Sequence, residues 1–190
     1  MALTQSAVNL ATVPTFVSRW LIPRLPDLQA CHPDIVVHME VRTRPFLFAD
    51  TVLDAALHAS TAELVGNWAG TRAMALMSED ALPECSPRWI GPATELSPAA
   101  VAGLPLLQQS TRPCAWRQWF DAMGVSAPHA LFGPRFELFS ITATAAIHGL
   151  GVALVPCLLI EDELARGDLV AACNRTPHGK RSYDPVTPER

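Results

Sequence analysis

The sequence predicts an α/β protein built of two small lobes. A strand, helix and strand follow one another at the start of the chain, and a second helix-to-strand succession occurs in its last third. Between them, residues 91–101 are rich in proline, serine and alanine, and this change of composition places a lobe boundary near Pro83. A length of 190 residues gives room for one good-sized domain or two small lobes.

The first lobe begins with an extended, half-apolar run over residues 5–12. From Thr15 to Leu28 apolar residues recur at helical spacing, and Pro23 is expected to bend or restart this helix. Residues 35–42 form the clearest strand, because apolar side chains alternate with a mixed set. The three elements predict a βαβ unit, followed by a short helix and strand within residues 50–60, a loop at 66–70 and strands at 72–77 and 81–85.

The second lobe contains an apolar helical face formed by Trp116, Trp119, Phe120 and Met123, at spacings i, i+3, i+4 and i+7. Ser140 is expected to cap a helix that ends at Gly149. A buried strand follows over residues 151–156. We then expect a helix over 157–166, a strand over 169–172 and a last extended segment over 181–186.

The composition predicts a folded protein that does not bind nucleic acid by itself. Hydrophobic residues make up 49% of the chain, the net charge is −4 with a pI near 5.8, and the 14 Lys and Arg residues are scattered. No basic segment followed by an apolar stretch opens the chain, and no long apolar run occurs, so we expect neither export nor a membrane span. Five cysteines without a Cys-x-x-Cys pair favour a reducing cytoplasm and buried, inert thiols.

The sequence carries no signal for catalysis, for a metal or for a cofactor. None of the histidines has metal-ligand spacing to another, no Gly-x-Ser-x-Gly elbow is present, and Gly149-Leu150-Gly151 is better explained as a helix stop than as a nucleotide loop. The carboxylates of Glu161, Asp162 and Glu163 are expected on a solvated helix face near its first turn. We therefore expect a binding protein and not an enzyme.

Three places combine hydroxyl groups with the requirements for holding an anion. Thr15 and Ser140 each stand near a helix start, where main-chain N–H groups are free to bind a ligand. Ser110-Thr111-Arg112 follows an apolar strand, residues 104–107, and adds a guanidinium suited to a carboxylate. Taken singly, each hydroxyl is more simply explained as a helix cap, but convergence of all three in one cleft would favour ligand binding.

The segment from Pro14 to Leu25, followed by His32-Pro33-Asp34, closely resembles the opening of the effector domain of LysR-type regulators, in the glycine-cleavage-activator and β-lactamase-regulator branch. Further matches follow in the same order along the chain: Asp54-Ala55-Ala56, Glu79 through Pro87, Ser110-Thr111-Arg112-Pro113 with Trp116 and Trp119, Gly133 through Glu137, Ala145-Ala146, Gly149 through Leu154, Glu163-Leu164 and Arg181-Ser182-Tyr183. The resemblance covers essentially the whole chain.

The resemblance implies a type II periplasmic-binding-protein-like fold with two crossover segments. Residues 1–82 plus 183–190 would form lobe I and residues 83–182 lobe II, with a small effector, such as an amino acid or small carboxylate, held between them. Together with the local chemistry it gives these effector-binding candidates: Thr15, Phe16, Ser110, Thr111, Arg112, Glu137 and Ser140. It also implies a homodimer formed through this domain, with DNA bound only by a winged helix-turn-helix that the chain lacks.

The sequence departs from the family pattern at positions that the resemblance assigns to the cleft. Leu47-Phe48 replaces an Asp-Phe pair, and Leu57-His58-Ala59-Ser60 replaces Ile-Arg-Phe-Gly, which suggests a less highly charged ligand. The family's last helix would begin near Arg190. The leading hypothesis is an effector sensor in which ligand binding favours a closed form; the alternatives are a solute-binding protein of the same fold, an enzyme with an unrecognised site, or a degenerate interaction domain.

Overall fold

The computed structural model describes residues 6–44, 46–61, 63, 68–91, 95–177, 179 and 181–189. These residues form two compact units. Unit 1 contains the described residues up to Glu79 together with those from Gly179 onward, and unit 2 contains the described residues from Asp80 to position 177. The chain therefore passes from unit 1 to unit 2 and back again.

Unit 1 is built on one mixed sheet. Its strands are β1 (Ser6–Thr12), β2 (Ile35–Val41), β3 (Ala55–Thr61), β4 (Thr71–Ala73), β5 (Met77–Ser78) and, at the end of the chain, β11 (Arg181–Pro188). The order is β2-β1-β3-β11-β4, and β5 pairs with β11 beside this path. Strands β2 and β3 run parallel to β1, whereas β11 is antiparallel to its neighbours. The predicted βαβ unit at the start of the chain is confirmed.

The connection between β1 and β2 is helical but changes type along its length. It begins as helix α1 (Pro14–Phe16), continues as a π-helical turn (Val17–Leu21) and a 3₁₀ turn (Ile22–Arg24), and ends as helix α2 (Leu25–Cys31). Pro23 lies in the 3₁₀ turn, because proline has no N–H to continue the preceding hydrogen-bond ladder. The predicted restart of the helix at this proline is confirmed.

One hydrophobic cluster of unit 1 is built on the small side chains of its central strands. Phe48, Leu53, Trp68 and Val186 pack there against the small side chains of β1 and β3. The rings of Phe48 and Trp68 stack with centres 5.8 Å apart, and Nε1 of Trp68 donates to the carbonyl oxygen of Phe46. Burying aromatic rings of this size contributes much of the apolar stabilisation of so small a unit.

Unit 2 has a second mixed sheet. Its strands are β6 (Ala81–Cys85), β7 (Leu106–Gln109), β8 (Arg135–Phe136), β9 (Val152–Pro156) and β10 (Val170–Ala171), in the order β10-β6-β9-β7-β8. Strands β8 and β9 run parallel to β7, and β6 is antiparallel to β9. Strands β7 and β9 are buried along their whole lengths, as expected for parallel strands covered on both faces.

The helices of unit 2 cover this sheet. They are α3 (Pro98–Ala102), α4 (Ala115–Ala122), α5 (Phe139–Ile147) and α6 (Glu161–Arg166). Trp116, Trp119 and Phe120 of α4 are buried, which confirms the predicted apolar face. The prediction of a single helix over residues 157–166 is wrong. A 3₁₀ turn (Cys157–Leu159) follows Pro156 at the end of β9, and helix α6 begins only after Ile160.

Several ionisable side chains are more deeply buried than the sequence indicated. Glu163 lies in the first turn of α6 but is buried, so the solvated face predicted for the three neighbouring carboxylates is wrong at this position. Glu84 on β6 has no solvent exposure, and burial raises its pKa to about 8. Cys85 and Cys173 are buried as expected, whereas Cys31 and Cys114 are exposed, contrary to the expectation of buried thiols.

Among the described residues, no group of three or more histidine, cysteine, aspartate or glutamate side chains is arranged so that it could hold a metal ion. No helix among the same residues combines the length and the apolar character needed to cross a bilayer.

Candidate functional site

The candidate site in unit 2 lies where strands β7 and β8 end. Because the two strands are parallel, their carboxyl ends meet at the same edge of the sheet. The N–H of Ser110, directly after β7, donates to the carbonyl oxygen of Phe136 over 2.8 Å, which fixes Ser110 beside Glu137. The chain then turns through residues 110–114 into α4. This turn exposes the side chains of Ser110 and Thr111.

Helix α5 begins two residues after β8 and brings its first turn to the same edge. Leu138 occupies the N-cap position without a side-chain cap, and Ser140 lies inside the helix as its second residue. The predicted capping role of Ser140 is therefore wrong, although its position in the first turn is confirmed. The reason is that Leu138 is the residue with extended main-chain angles, so the helix starts two residues earlier than the hydroxyl suggested.

A buried glutamine connects these elements. Gln109, the last residue of β7, is 5% exposed. Its Nε2 donates to the carbonyl oxygen of Glu137 and, over 3.0 Å, to Oγ1 of Thr111. The hydroxyl of Thr142 on α5 donates to Oε1 of Gln109 over 2.9 Å. One side chain thus holds the turn after β7, the end of β8 and the first turns of α5 together.

Arg112 supplies the positive charge of the site. Its Nη1 donates to the carbonyl oxygen of Thr111 over 2.9 Å, and its Cζ lies 5.8 Å from the centre of the Phe139 ring at the start of α5. The side chain is half-buried, and its Nε is fully enclosed. A guanidinium fixed in this way beside a helix start can add to the attraction that the positive end of the helix dipole exerts on an anion.

The structure brings together five of the seven residues predicted for the site: Ser110, Thr111, Arg112, Glu137 and Ser140. Sequence reasoning missed Gln109, Thr142 and Phe139. Two glutamines that directly follow two leucines at the end of β7 are the signal that could have identified Gln109, because buried amides need hydrogen-bond partners. Thr142 had no such signal, since threonine at a helix position is common.

The other two predicted residues, Thr15 and Phe16, belong to unit 1. Thr15 stands in α1 directly after β1, as expected, but only 6% of its surface is exposed. Phe16 is fully buried, with its ring stacked on Trp20 and Tyr183 at centre distances of 4.9 and 4.5 Å. A ligand contact of Phe16 would therefore fall to its main chain and not to its ring.

The positions that depart from the family pattern also lie in unit 1. Phe48 is part of the apolar core there, whereas Leu47 is largely exposed. His58 lies edge-on to Trp68 with ring centres 5.7 Å apart, and its register partner on β11 is Asp184. Ser182 donates to Oδ1 of Asp184 over 2.6 Å. An arginine at position 58 is thus replaced by a smaller ring that packs on the aromatic core.

Comparison with known proteins gives one family and a consistent set of relatives. The family profile of the LysR substrate binding domain matches residues 2–189. The chain is 30% identical over 181 residues to the glycine cleavage system transcriptional activator of Escherichia coli (strain K12), which covers 94% of the chain and 57% of that relative. The chain thus spans little more than half the length of this relative.

Solved structures with the same fold include two effector-binding domains. The AmpR effector binding domain from Citrobacter freundii superposes with a TM-score of 0.82 at 25% identity, covering 97% of this chain and 89% of that one. The effector domain of the transcriptional regulator AmpR of Pseudomonas aeruginosa gives the same TM-score at 28% identity, covering 97% and 86%.

Proposed function

The chain belongs to the LysR substrate binding domain family, and we propose that it is the effector-sensing part of a LysR-type transcriptional regulator. Its α/β fold with two sheets is the periplasmic-binding-protein-like fold of LysR effector-binding domains, so the family and fold predicted from the sequence are confirmed. The observation that carries the proposal is the edge of unit 2 where Ser110, Thr111, Arg112 and Ser140 come together.

The ligand that fits this edge is a small molecule with a carboxylate. Hydroxyl groups, a half-buried guanidinium and the first turn of α5 lie together there, and each favours an anionic acceptor. Glu137, which is exposed at the same edge, suits an ammonium group on the same ligand. An amino acid or a small carboxylic acid is therefore the proposed effector class. Thr15 and the main chain of Phe16, in unit 1, are kept in the proposed set of effector-binding residues.

The proposed action is sensing without chemistry. An effector that binds one conformation of the protein more tightly shifts the population towards it, and in the parent regulator this changes how DNA is bound. Separate DNA-binding domains, a homodimer formed through this domain and a cytoplasmic location are parts of the same proposal. The scattered basic residues and the net charge of −4 support the proposal that this domain binds the effector and does not itself bind DNA.

The test is a screen of amino acids and small carboxylic acids by thermal shift, repeated on substituted chains. Arg112→Ala is expected to weaken binding of a stabilising compound by about tenfold or more, because a charge-assisted contact is lost. Thr15→Ala tests the contribution of unit 1 in the same way. Arg117→Ala, on the exposed side of α4, removes an equal charge outside the site and serves as the control. Equal stabilisation of all four chains would contradict the site assignment.

A further inference from the structure

Gln109 occupies an unusual position for a buried amide, because its side chain points from the sheet into the candidate site and not into the apolar core of unit 2. It touches a residue of each segment that forms the site: Thr111 in the turn, Glu137 after β8 and Thr142 on α5. The neighbouring Gln108 differs, since its Nε2 is used on the main-chain oxygens of Leu106, Ala130 and Phe132.

The orientation of the Gln109 amide follows from its partners. The carbonyl oxygen of Glu137 can only accept a hydrogen bond, so the amide atom that faces it must be Nε2. Oε1 then faces the Thr142 hydroxyl, which lies 2.9 Å from Oε1 and 3.1 Å from the carbonyl oxygen of Leu138 and can donate its one hydrogen to either. A rotation of the amide by half a turn would place two acceptors against each other at Glu137 and is therefore unfavourable.

This orientation fixes the polarity of Thr111. The second hydrogen of Nε2 is donated to Oγ1 of Thr111 over 3.0 Å, so the hydroxyl of Thr111 acts as the acceptor in that contact. A hydroxyl has one hydrogen of its own, and Gln109 offers no acceptor atom for it. The hydroxyl hydrogen of the exposed Thr111 therefore needs an acceptor other than Gln109, and solvent or a ligand can supply it.

We propose that Gln109 is a positioning residue that occupies one acceptor position of the Thr111 hydroxyl and leaves its hydrogen for the ligand, and so favours a ligand atom that accepts. This inference rests on the proposed function and deepens it. A carboxylate has an acceptor oxygen for Thr111 and another for the guanidinium of Arg112, whereas the corresponding amide has only one acceptor oxygen for these two donors. Discrimination between a carboxylate and its amide is thus assigned to a residue that need not touch the ligand.

The experiment compares acetate with acetamide, which differ in this one group. Each is titrated into the ¹⁵N-labelled chain while the main-chain N–H signals of residues 110–112 are followed. We expect the unsubstituted chain to prefer acetate by about tenfold. Gln109→Met, which keeps the length and apolar bulk but loses both N–H groups, is expected to reduce this preference by about fivefold. Gln109→Glu, when ionised, offers only acceptor oxygens, so the Thr111 hydroxyl would donate to it and not to the ligand, and the preference is expected to fall further.

The matched controls are Gln118→Met and Gln118→Glu, which make the same changes on the exposed surface of α4. If the role of Gln109 were purely structural, its substitution would weaken the binding of acetate and of acetamide equally. The ratio of the two affinities is therefore the deciding quantity. An unchanged ratio in both Gln109 variants, with binding retained, overturns the positioning role and leaves the proposed function standing. The absence of any shift at residues 110–112 with either probe contradicts the site, and the proposal with it.

A second measurement uses no ligand and no change at Gln109. In the unsubstituted chain both Nε2 hydrogens of Gln109 should exchange slowly with solvent, because both are donated. Thr111→Val removes one acceptor and is expected to release one of the two hydrogens, whereas Thr111→Ser keeps the hydroxyl and serves as the control. If the two Nε2 hydrogens exchange with solvent at the same rates in all three chains, the orientation assigned to the Gln109 amide is overturned.

Discussion

Nη2 of Arg88 donates a hydrogen bond to the carbonyl oxygen of His148 over 3.0 Å. His148 and Gly149 directly follow α5, and the same Nη2 atom also donates to the carbonyl oxygen of Gly149. The last carbonyl groups of a helix have no partner within it, and a guanidinium both satisfies them and complements the helix dipole. Arg88 therefore secures the far end of the helix whose first turn forms part of the candidate site.

Substitution of Gly149 tests this cap. Gly149 has a φ of +69°, and a Cβ built there would collide with the guanidinium of Arg88. Gly149→Ala should lower the free energy of unfolding by about 2 kcal/mol, since main-chain strain adds to the displaced cap. Gly124→Ala is the matched control, because its φ is +67° and its Cβ would meet nothing within 4 Å. It should cost about 1 kcal/mol. Urea unfolding of the chains measures both, and equal losses would contradict the cap.

The Arg88→Ala chain supplies the second half of this test. Removing the guanidinium also removes the atoms that the new methyl group would strike. The loss in the Arg88→Ala, Gly149→Ala double variant should therefore be smaller than the sum of the two single losses. Simple additivity would mean that the two residues do not interact.

Glu84 predicts a stability that depends on pH. Burial raises its pKa to about 8 in the folded chain, while Sγ of Cys157 donates to Oε1 over 3.9 Å. An unfolded chain ionises the same carboxyl near 4.5, so between these values only the unfolded state loses the proton. The stability contribution of the neutral carboxyl is therefore complete below pH 4.5. It is lost by about 1.4 kcal/mol per pH unit as the pH rises towards 8.

Glu84→Gln keeps the shape of the side chain and removes the carboxyl group that titrates. The melting temperature of the unsubstituted chain should fall between pH 5 and pH 8 relative to that of the Glu84→Gln chain, and the two should run parallel above about pH 8.5. Glu161→Gln, at an exposed position of α6, provides the control. Identical pH profiles for all three chains would show that Glu84 is ionised in the folded state.

The five cysteines should fall into two classes of reactivity. Burial is the largest cause that raises the pKa of Cys85 and of Cys157 to about 11, and it also raises that of Cys173, whereas Cys31 and Cys114 are exposed. Thiolate is the reactive form, so a thiol reagent at pH 7.5 should modify two groups rapidly and the other three only on unfolding. The Cys31→Ser, Cys114→Ser double variant should lose the fast phase of modification, which the two exposed thiols produce. A fast phase that persists there would contradict the burial of the remaining thiols.

The parts of the fold that the sequence could predict are those fixed by local patterns. Alternation identified β2, the spacing of Trp116, Trp119 and Phe120 identified α4, and Pro23 marked the break between β1 and β2. Each depends on side chains a few residues apart. The resemblance extended this to the whole chain and gave the family.

The parts that the sequence could not predict depend on contacts between distant residues. Glu84 stands on β6 between β9 and β10 with Cys157 against its carboxyl, and Glu163 is buried because α6 turns one of three adjacent carboxylates inward. Gln109 became part of the site only when β8 and α5 were placed beside it, 28 and 33 residues further along the chain. From local polarity alone the carboxylates were expected to be exposed, and this glutamine was given no role. Tertiary packing sets the protonation state of a buried carboxyl and the hydrogen-bond partners of a buried amide, and a local pattern does not show it.

The ion pair between Glu79 and Arg181 gives the last prediction. Nε of Arg181 donates to Oε2 of Glu79 over 2.8 Å, Nη2 donates to the carbonyl oxygen of Ala59, and the Glu79 side chain is 3% exposed. Arg166 and Asp168 form a pair of equal length at an exposed position. Removing the Glu79 charge leaves that of Arg181, whose side chain is 29% exposed, only partly hydrated. Glu79→Gln should therefore lower the free energy of unfolding by about 2 kcal/mol, between the values typical of exposed and of fully buried pairs. Asp168→Asn should change it by less than about 0.5 kcal/mol.

Urea unfolding at low and at high salt checks both values, since salt should weaken only the exposed pair. Equal effects of the two substitutions would mean that the Glu79 carboxylate is hydrated and that its burial does not govern the strength of the pair.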